Sequence, residues 1–318
     1  MKNRNLIKMN RKFVLWLIGW MMLSWTVSAQ QIPFSSLFVE NPFSFNPAVA
    51  GSDNSFKVRF NNRSQWLGFD DSPVTNQLSA YGPHKVRNIG YGGNINIDKT
   101  GPISMLKLNG AFATNFSINF DIRVSFGLNV GMIQYRADGT QFENMYDDDD
   151  PCAPPTVMAN FRPDGGAGVY VYHNDWYIGL SAQQLFNNNL KLADVSEDTK
   201  RNRLRTHFFA YAGYKFADGV SKNLIIEPSL LVRKVVANPM QMDISGRVIF
   251  KQQFWGGICI RNTFESFNDL SLLFGYIYER KINISIAYDF SFAKIRSYTA
   301  GTVELVLGYN FDSFKKGR

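Results

Sequence analysis

The densest set of potential ligands in this 318-residue sequence is the run Asp147-Asp148-Asp149-Asp150, just ahead of Pro151 and Cys152. Clustered carboxylates suit calcium. The alternating ligand spacing and closing glutamate of an EF-hand are absent, however, so a solvated or partner-facing loop is the plainer expectation. Gly165-Gly166-Ala167-Gly168 loosely resembles a phosphate-cradling loop, yet it opens a strand-like stretch and no helix follows it. Gly179-Leu180-Ser181-Ala182-Gln183 lacks the second glycine of a nucleophile elbow. His84, His173 and His207 have no Asp, Glu or Cys at triad or metal spacing. The sequence therefore predicts no enzyme, no cofactor and no bound metal. Cys152 and Cys259 are the only cysteines, and their distance and different contexts argue against pairing, although an oxidising compartment would permit a disulfide. Arg63, Gln65 and Trp66 offer another chemistry, polar and aromatic contact with a protein partner. Their bland alternative is a packed corner at the end of a strand.

These groups are carried by one repeated element. From Ile122 to Met132 the apolar residues Ile122, Val124, Phe126, Leu128, Val130 and Met132 alternate with Arg123, Ser125, Gly127, Asn129 and Gly131. Period two is the mark of a strand with one oily and one polar face. About 10 residues of it suffice for a tilted strand to cross the hydrocarbon of a bilayer. The pattern returns over residues 281–292 and 302–311. We read the chain as an all-β, transmembrane antiparallel β-barrel of about 14 strands, of the outer-membrane type.

Composition fits one domain: 15% of residues are aromatic and only 19% charged, with no linker-like tract to divide the chain. The one long apolar run is at the start. Lys2, Arg4, Lys8, Arg11 and Lys12 precede Phe13 to Met22, and Val27-Ser28-Ala29 offers a small-residue cleavage site, so residues 1–29 read as a secretory signal peptide. Removing five cations leaves 29 basic against 26 acidic residues, and most of the formal charge of +8 goes with them. A nucleic-acid role accordingly has little support. Residues 30–54, with Asn41-Pro42 and Asn46-Pro47, favour turns over a strand and are expected to form an N-terminal arm or lumen plug. Residues 55–311 would be the barrel and 312–318 a periplasmic tail.

Fourteen strands are expected at 55–63, 75–83, 88–97, 103–116, 120–136, 163–173, 175–184, 204–216, 223–234, 240–251, 253–263, 268–279, 281–292 and 301–311. Short connections such as 173–175, 251–253 and 279–281 alternate with long ones at 64–74, 137–162 and 187–203. Outer-membrane barrels show this asymmetry, with tight periplasmic turns and longer outer loops. The loops around Trp66, Asp148 and Asp194 would then stand outside. With Ile and Phe toward lipid, Lys57, Arg59, Lys107, Asp121, Arg123, Glu227, Arg233, Asp243, Arg247, Arg261, Asp289 and Glu304 turn inward. An Arg or Lys facing lipid at the midplane costs about 2–4 kcal/mol, which enforces that choice. Gly127, Gly131, Gly275 and Gly308 leave room for something inside. Trp176, Tyr177, Tyr276, Tyr278, Tyr309 and Phe311 fit interfacial girdles, and Pro228 suggests a bulge or strand end.

The segments Asn46-Pro47-Ala48-Val49-Ala50-Gly51 and Arg63-Ser64-Gln65-Trp66 resemble the opening signature of the PorP/SprF family of type IX secretion outer-membrane proteins of Bacteroidota. The resemblance continues through Arg162-Pro163-Asp164, Gly213-Tyr214, Glu227-Pro228-Ser229, Trp255-Gly256-Gly257 and Ala287-Tyr288-Asp289, and so covers nearly all of the mature chain. Val49, where an aromatic is usual, and the acidic loop depart from the pattern. The resemblance implies an outer-membrane β-barrel that assists export or surface attachment of a large adhesin, by binding its C-terminal domain or secretion components, without being the conducting pore. A porin or transporter for small solutes or lipids is the alternative. Candidate partner contacts are Arg63, Gln65 and Trp66 in the first outer loop and Asp147, Asp148, Asp149 and Asp150 in the third. Outer-membrane lipid is the other expected neighbour.

Overall fold

The computed structural model describes residues 34–85, 88–138, 158–188, 204–217, 223–236, 238–263, 266–292 and 294–311. The expected leader (1–29), the acidic run Asp147 to Asp150, Cys152, the loop around Asp194 and the tail 312–318 lie outside the described residues.

The strands are β1 (Lys57–Ser64), β2 (Val74–Pro83), β3 (Ile89–Thr100), β4 (Ile103–Ser117), β5 (Arg123–Ala137), β6 (Met158–Tyr172), β7 (Trp176–Gln183) and β8 (His207–Tyr214). They continue with β9 (Phe216–Ala217), β10 (Leu224–Val235), β11 (Gln241–Phe250), β12 (Phe254–Thr263), β13 (Ser266–Tyr278), β14 (Ile282–Ser291) and β15 (Thr302–Asn310). Pairing is antiparallel throughout, and β15 returns to pair with β1, so the sheet has no free edge. β8 and β9 both pair with β10 and form one broken stave, which makes a closed barrel of 14 strands. Closure is what lipid demands, because an unpaired backbone group has no water to turn to.

The break has a local cause. Ser229 of β10 pairs with Gly213 of β8 and Ile226 with Phe216 of β9. Between them sits Pro228, which has no N–H to give to a ladder. The register is the same on both sides, so the ladder is interrupted without an inserted residue.

Alternation sorts the faces as period two requires. Phe126, Leu128, Val130 and Met132 are exposed on the outer wall of β5, as are Ile282, Ile284 and Ile286 on β14. Arg59, Lys107, Glu227, Arg233, Asp243, Arg247, Arg261, Asp289 and Glu304 turn inward. Lys57 and Arg123 are half-buried at the inner rim. Asp121 is exposed in the turn before β5, where it lines the polar space at the inner rim. One assignment is corrected. Tyr177 belongs to no girdle: it points inward and its hydroxyl donates to Glu227 at 3.2 Å. Tyr276, Tyr309 and Phe311 do stand on the lipid side near the inner end, Tyr276 against Phe254 and Tyr309 against Phe311.

One barrel end carries only the connections 84–88, 118–122, 173–175, 218–223, 251–253 and 279–281, all short. The other carries 65–73, 138–157, 184–206 and 292–301. The long end also has three short connections, Gly101-Pro102, 236–240 and 264–265, so length does not alternate without exception.

Candidate functional site

The most elaborated part of the barrel is its inside, and the element that fills it is the segment before β1. Two Asn-Pro pairs set its shape. Each proline fixes φ at the start of a short 3-10 turn, Pro42–Ser44 and Pro47–Val49. The Asn46 side chain accepts from Ala48 N at 2.9 Å, capping the second turn. Residues so coiled cannot join the sheet, and their backbone must be satisfied from the surrounding walls.

The walls supply partners all round. Near the long-looped end, Ser35 Oγ donates to Glu304 Oε1 at 2.5 Å and Ser36 N to Glu304 Oε2 at 2.8 Å. Ser36 Oγ donates to Asp289 at 3.0 Å. Asn41 reaches Ser79 of β2 at 2.9 Å, and Phe43 stacks on Tyr81 with ring centres 4.5 Å apart. Ser181 and Gln183 of β7 both donate to the Phe45 carbonyl, at 2.7 and 3.0 Å. Asn46 donates to the Val169 carbonyl at 3.1 Å. At Gly127 a Cβ would collide with the backbone of Pro47 and Ala48, so this glycine makes the seat for the second turn.

Around the arm runs a network of buried ion pairs. Arg63 bonds Asp289 at 2.6 Å and Glu304 at 2.9 Å. Arg261 bonds Asp243 at 3.1 Å, and Arg233 shares the same carboxylate. Phe34 lies under both of those guanidinium groups, 4.2 Å from Arg233 and 5.2 Å from Arg261. Lower down, Arg247 bridges Glu227, at 2.8 Å, and Glu40 of the arm. Lys107 pairs with Asp164 at 2.8 Å on the opposite wall. Burying these charges is tolerable only because each has a partner, since an unpaired ion in such a site costs several kcal/mol.

Below the arm, toward the short-turn end, a polar vestibule of about 580 Å³ remains, walled by Tyr81, Tyr170, Tyr172, Tyr177 and Tyr211. Asp53 stands at its rim. Burial pushes the Asp53 carboxyl up, but the Lys57 ammonium at 2.6 Å and the N–H groups of Asn54 and Ser55 outweigh burial and hold it below the usual carboxylate value.

At the opposite mouth, the expected contact residues separate. Arg63 is not in the loop: it is the seventh residue of β1 and 3% exposed, committed to the lumen network. Gln65 and Trp66 do open the first outer loop, where Gln65 N donates to the Pro73 carbonyl at 2.9 Å. Trp66 adopts a φ of +53° and gives its N–H to Thr302 Oγ1 at 3.3 Å. Leu67 exchanges two backbone bonds with the loop 292–301, at 2.8 Å each. This corner is rigid, and Trp66 is half-buried in it. Asp147 to Asp150 lie outside the described residues. Among the described residues no three His, Cys, Asp or Glu side chains gather as a metal site, and Cys259 is buried as a free thiol.

The lumenal bonding roles of Ser35, Ser36, Glu40, Asn46 and Asp164 escaped the sequence reading. The repeated Asn-Pro was the one signal for the arm, since it rules out a strand and leaves the Asn41 and Asn46 side chains to seek partners in the wall.

The sequence matches the family model for the type IX secretion system membrane protein PorP/SprF over residues 27–309. The chain belongs to that family. Among curated proteins none matches it in sequence. Among solved structures it is similar to the CymD monoaromatic hydrocarbon channel, with a TM-score of 0.51 and 11% identity over 86% of this chain and 92% of that one. It is also similar to a mutant of the TodX monoaromatic hydrocarbon channel, with a TM-score of 0.48 and 8% identity over 84% and 92%. At these identities the likeness concerns the fold alone. Family membership and the closed barrel make this PorP/SprF protein a type IX secretion component of the bacterial outer membrane.

Proposed function

We propose that this PorP/SprF protein assists export or surface attachment of a large secreted adhesin, by binding the adhesin's C-terminal domain or the secretion machinery. It does so as a filled barrel that plugs its own lumen with residues 34–54. The observation that carries this reading is the arm itself. It is bonded to β2, β7, β11, β14 and β15 together, and a conduit has no use for a lumen so occupied. Docking is then left to the mouths. The corner of Gln65 and Trp66 offers an aromatic anchor, and the acidic run Asp147 to Asp150 would add negative charge to the docking contacts. Arg63 contributes by holding the end of β1 under that corner.

Affinity purification of the tagged protein from its native membrane in mild detergent tests the reading. It should recover a secretion component or a large surface protein, and Trp66→Ala should reduce recovery while leaving the barrel folded. Recovery of neither would end it. A porin or transporter for small solutes is separated by planar-bilayer recording, where we expect silence and a stable open pore would support transport.

A further inference from the structure

The loop 292–301 folds back over the outside of the barrel. It carries a 3-10 turn, Lys294–Tyr298, and the hydroxyl of Tyr288, on the outer face of β14, donates to the Ala300 carbonyl where the loop returns. Between loop and wall lies a crevice of about 410 Å³, lined chiefly by Leu270, Tyr288, Phe290, Phe292, Arg296 and Gly301. Its floor continues the apolar face formed by Ile282, Ile284 and Ile286, so it opens to the bilayer. Phe290 is next to the last residue of β14 at the long-looped end, which places the crevice at the level where hydrocarbon gives way to headgroups.

Arg296 is the cation of this crevice. It is exposed, stands 5.6 Å from the centre of the Phe292 ring, and has no carboxylate at ion-pair distance among the described residues. Of the inward arginines, Arg63, Arg233, Arg247 and Arg261 are paired with carboxylates, and Arg59 is spent on backbone carbonyls and Asn310. A guanidinium is permanently charged, and its planar fork matches phosphate oxygens. An apolar slot with one free guanidinium at its polar edge has the chemistry of an acyl chain joined to an anionic head.

We propose that this crevice binds one anionic lipid of the outer leaflet, its acyl chain against Leu270 and Phe290 and its phosphate on Arg296. The assignment stands apart from the partner that the mouth docks, and failure of either leaves the other intact.

The test uses the full-length protein in detergent with phosphatidylglycerol or phosphatidylcholine of matched dioleoyl chains, counting retained lipids per barrel by native mass spectrometry. One phosphatidylglycerol should be retained in preference to phosphatidylcholine. One basic residue near a membrane surface accounts for roughly a fivefold preference, and Arg296→Gln should remove about that much. Arg280→Gln, on an inner turn, should leave the preference unchanged. Leu270→Trp, which exchanges one lipid-facing apolar residue for a bulkier one, should lose the retained lipid of either kind. Millimolar inorganic phosphate should not displace it. Equal retention of both lipids by the unaltered protein, equal effects of the two arginine variants, or full displacement by phosphate alone would overturn the proposal.

Discussion

Glu304 is the residue whose loss the lumen should tolerate least. It is fully buried and accepts hydrogen bonds from Ser35, Ser36, Asn61 and Arg63, at 2.5, 2.8, 2.9 and 2.9 Å. Glu304→Ala strips one of the two carboxylates from Arg63 and leaves two arm donors without an acceptor. Removing one member of a buried pair costs about 3–5 kcal/mol, because the other charge stays behind. That corresponds to a shift of roughly two to nearly four powers of ten in the folding equilibrium. Urea unfolding of the protein in detergent, followed by the gel mobility of unheated samples, should show a clearly lowered midpoint. A second variant separates charge from packing. In Arg63→Met combined with Glu304→Leu the orphaned guanidinium is gone, while Asp289 keeps Arg261 at 3.9 Å, so more than half of the lost stability should return. If Glu304→Ala unfolds at the wild-type midpoint, or if the double variant is the weaker of the two, the account of the lumen network is wrong.

The remaining expectations concern the arm and the two faces of the wall. Gly127→Val places a side chain where Pro47 and Ala48 now lie, so the arm should shift and a planar bilayer should record current from a barrel that is otherwise folded. Continued silence would count against the arm as the plug. Arg247→Met removes the bridge between Glu227 and the arm's Glu40 and should loosen the arm by about 3–5 kcal/mol, seen as earlier protease cutting between residues 34 and 54. Val130→Arg puts a cation on the lipid side at the middle of β5 and should cost about 2–4 kcal/mol, read as a lower folded yield in vesicles than Val130→Ala.

The staves were legible because lipid on one side and a polar lumen on the other write a period of two into every crossing. Where that contrast fades, so does the signal. β6 begins at Met158, five positions before the 163 expected from the alternation, and β4, β5 and β6 each run to 15 residues. About 10 suffice to cross the hydrocarbon, so the surplus has water on both faces and no reason to alternate. Tyr177 misled because an aromatic near a strand end suits either a membrane girdle or a carboxylate partner, and only its phase against β6 and β8 decides. Arg63 was assigned to the loop for a similar reason, since an arginine beside a tryptophan resembles a docking pair until its place across from Glu304 is known. The arm was recognisable as something other than a strand from Asn-Pro twice over. Its contacts with β2, β7, β11, β14 and β15 were not, because they join residues from 38 to 269 positions apart.

Arg63 and Glu304 face each other directly across the join between β1 and β15. The last stave to emerge during synthesis therefore brings a counter-charge that the first stave has lacked since its own appearance. A chain cut short before Thr302 would lack Glu304 and would leave Arg63 along an open sheet margin with Asp289 as the remaining carboxylate of its pair. The full set of charges around Arg63 is thus complete only when the cylinder is.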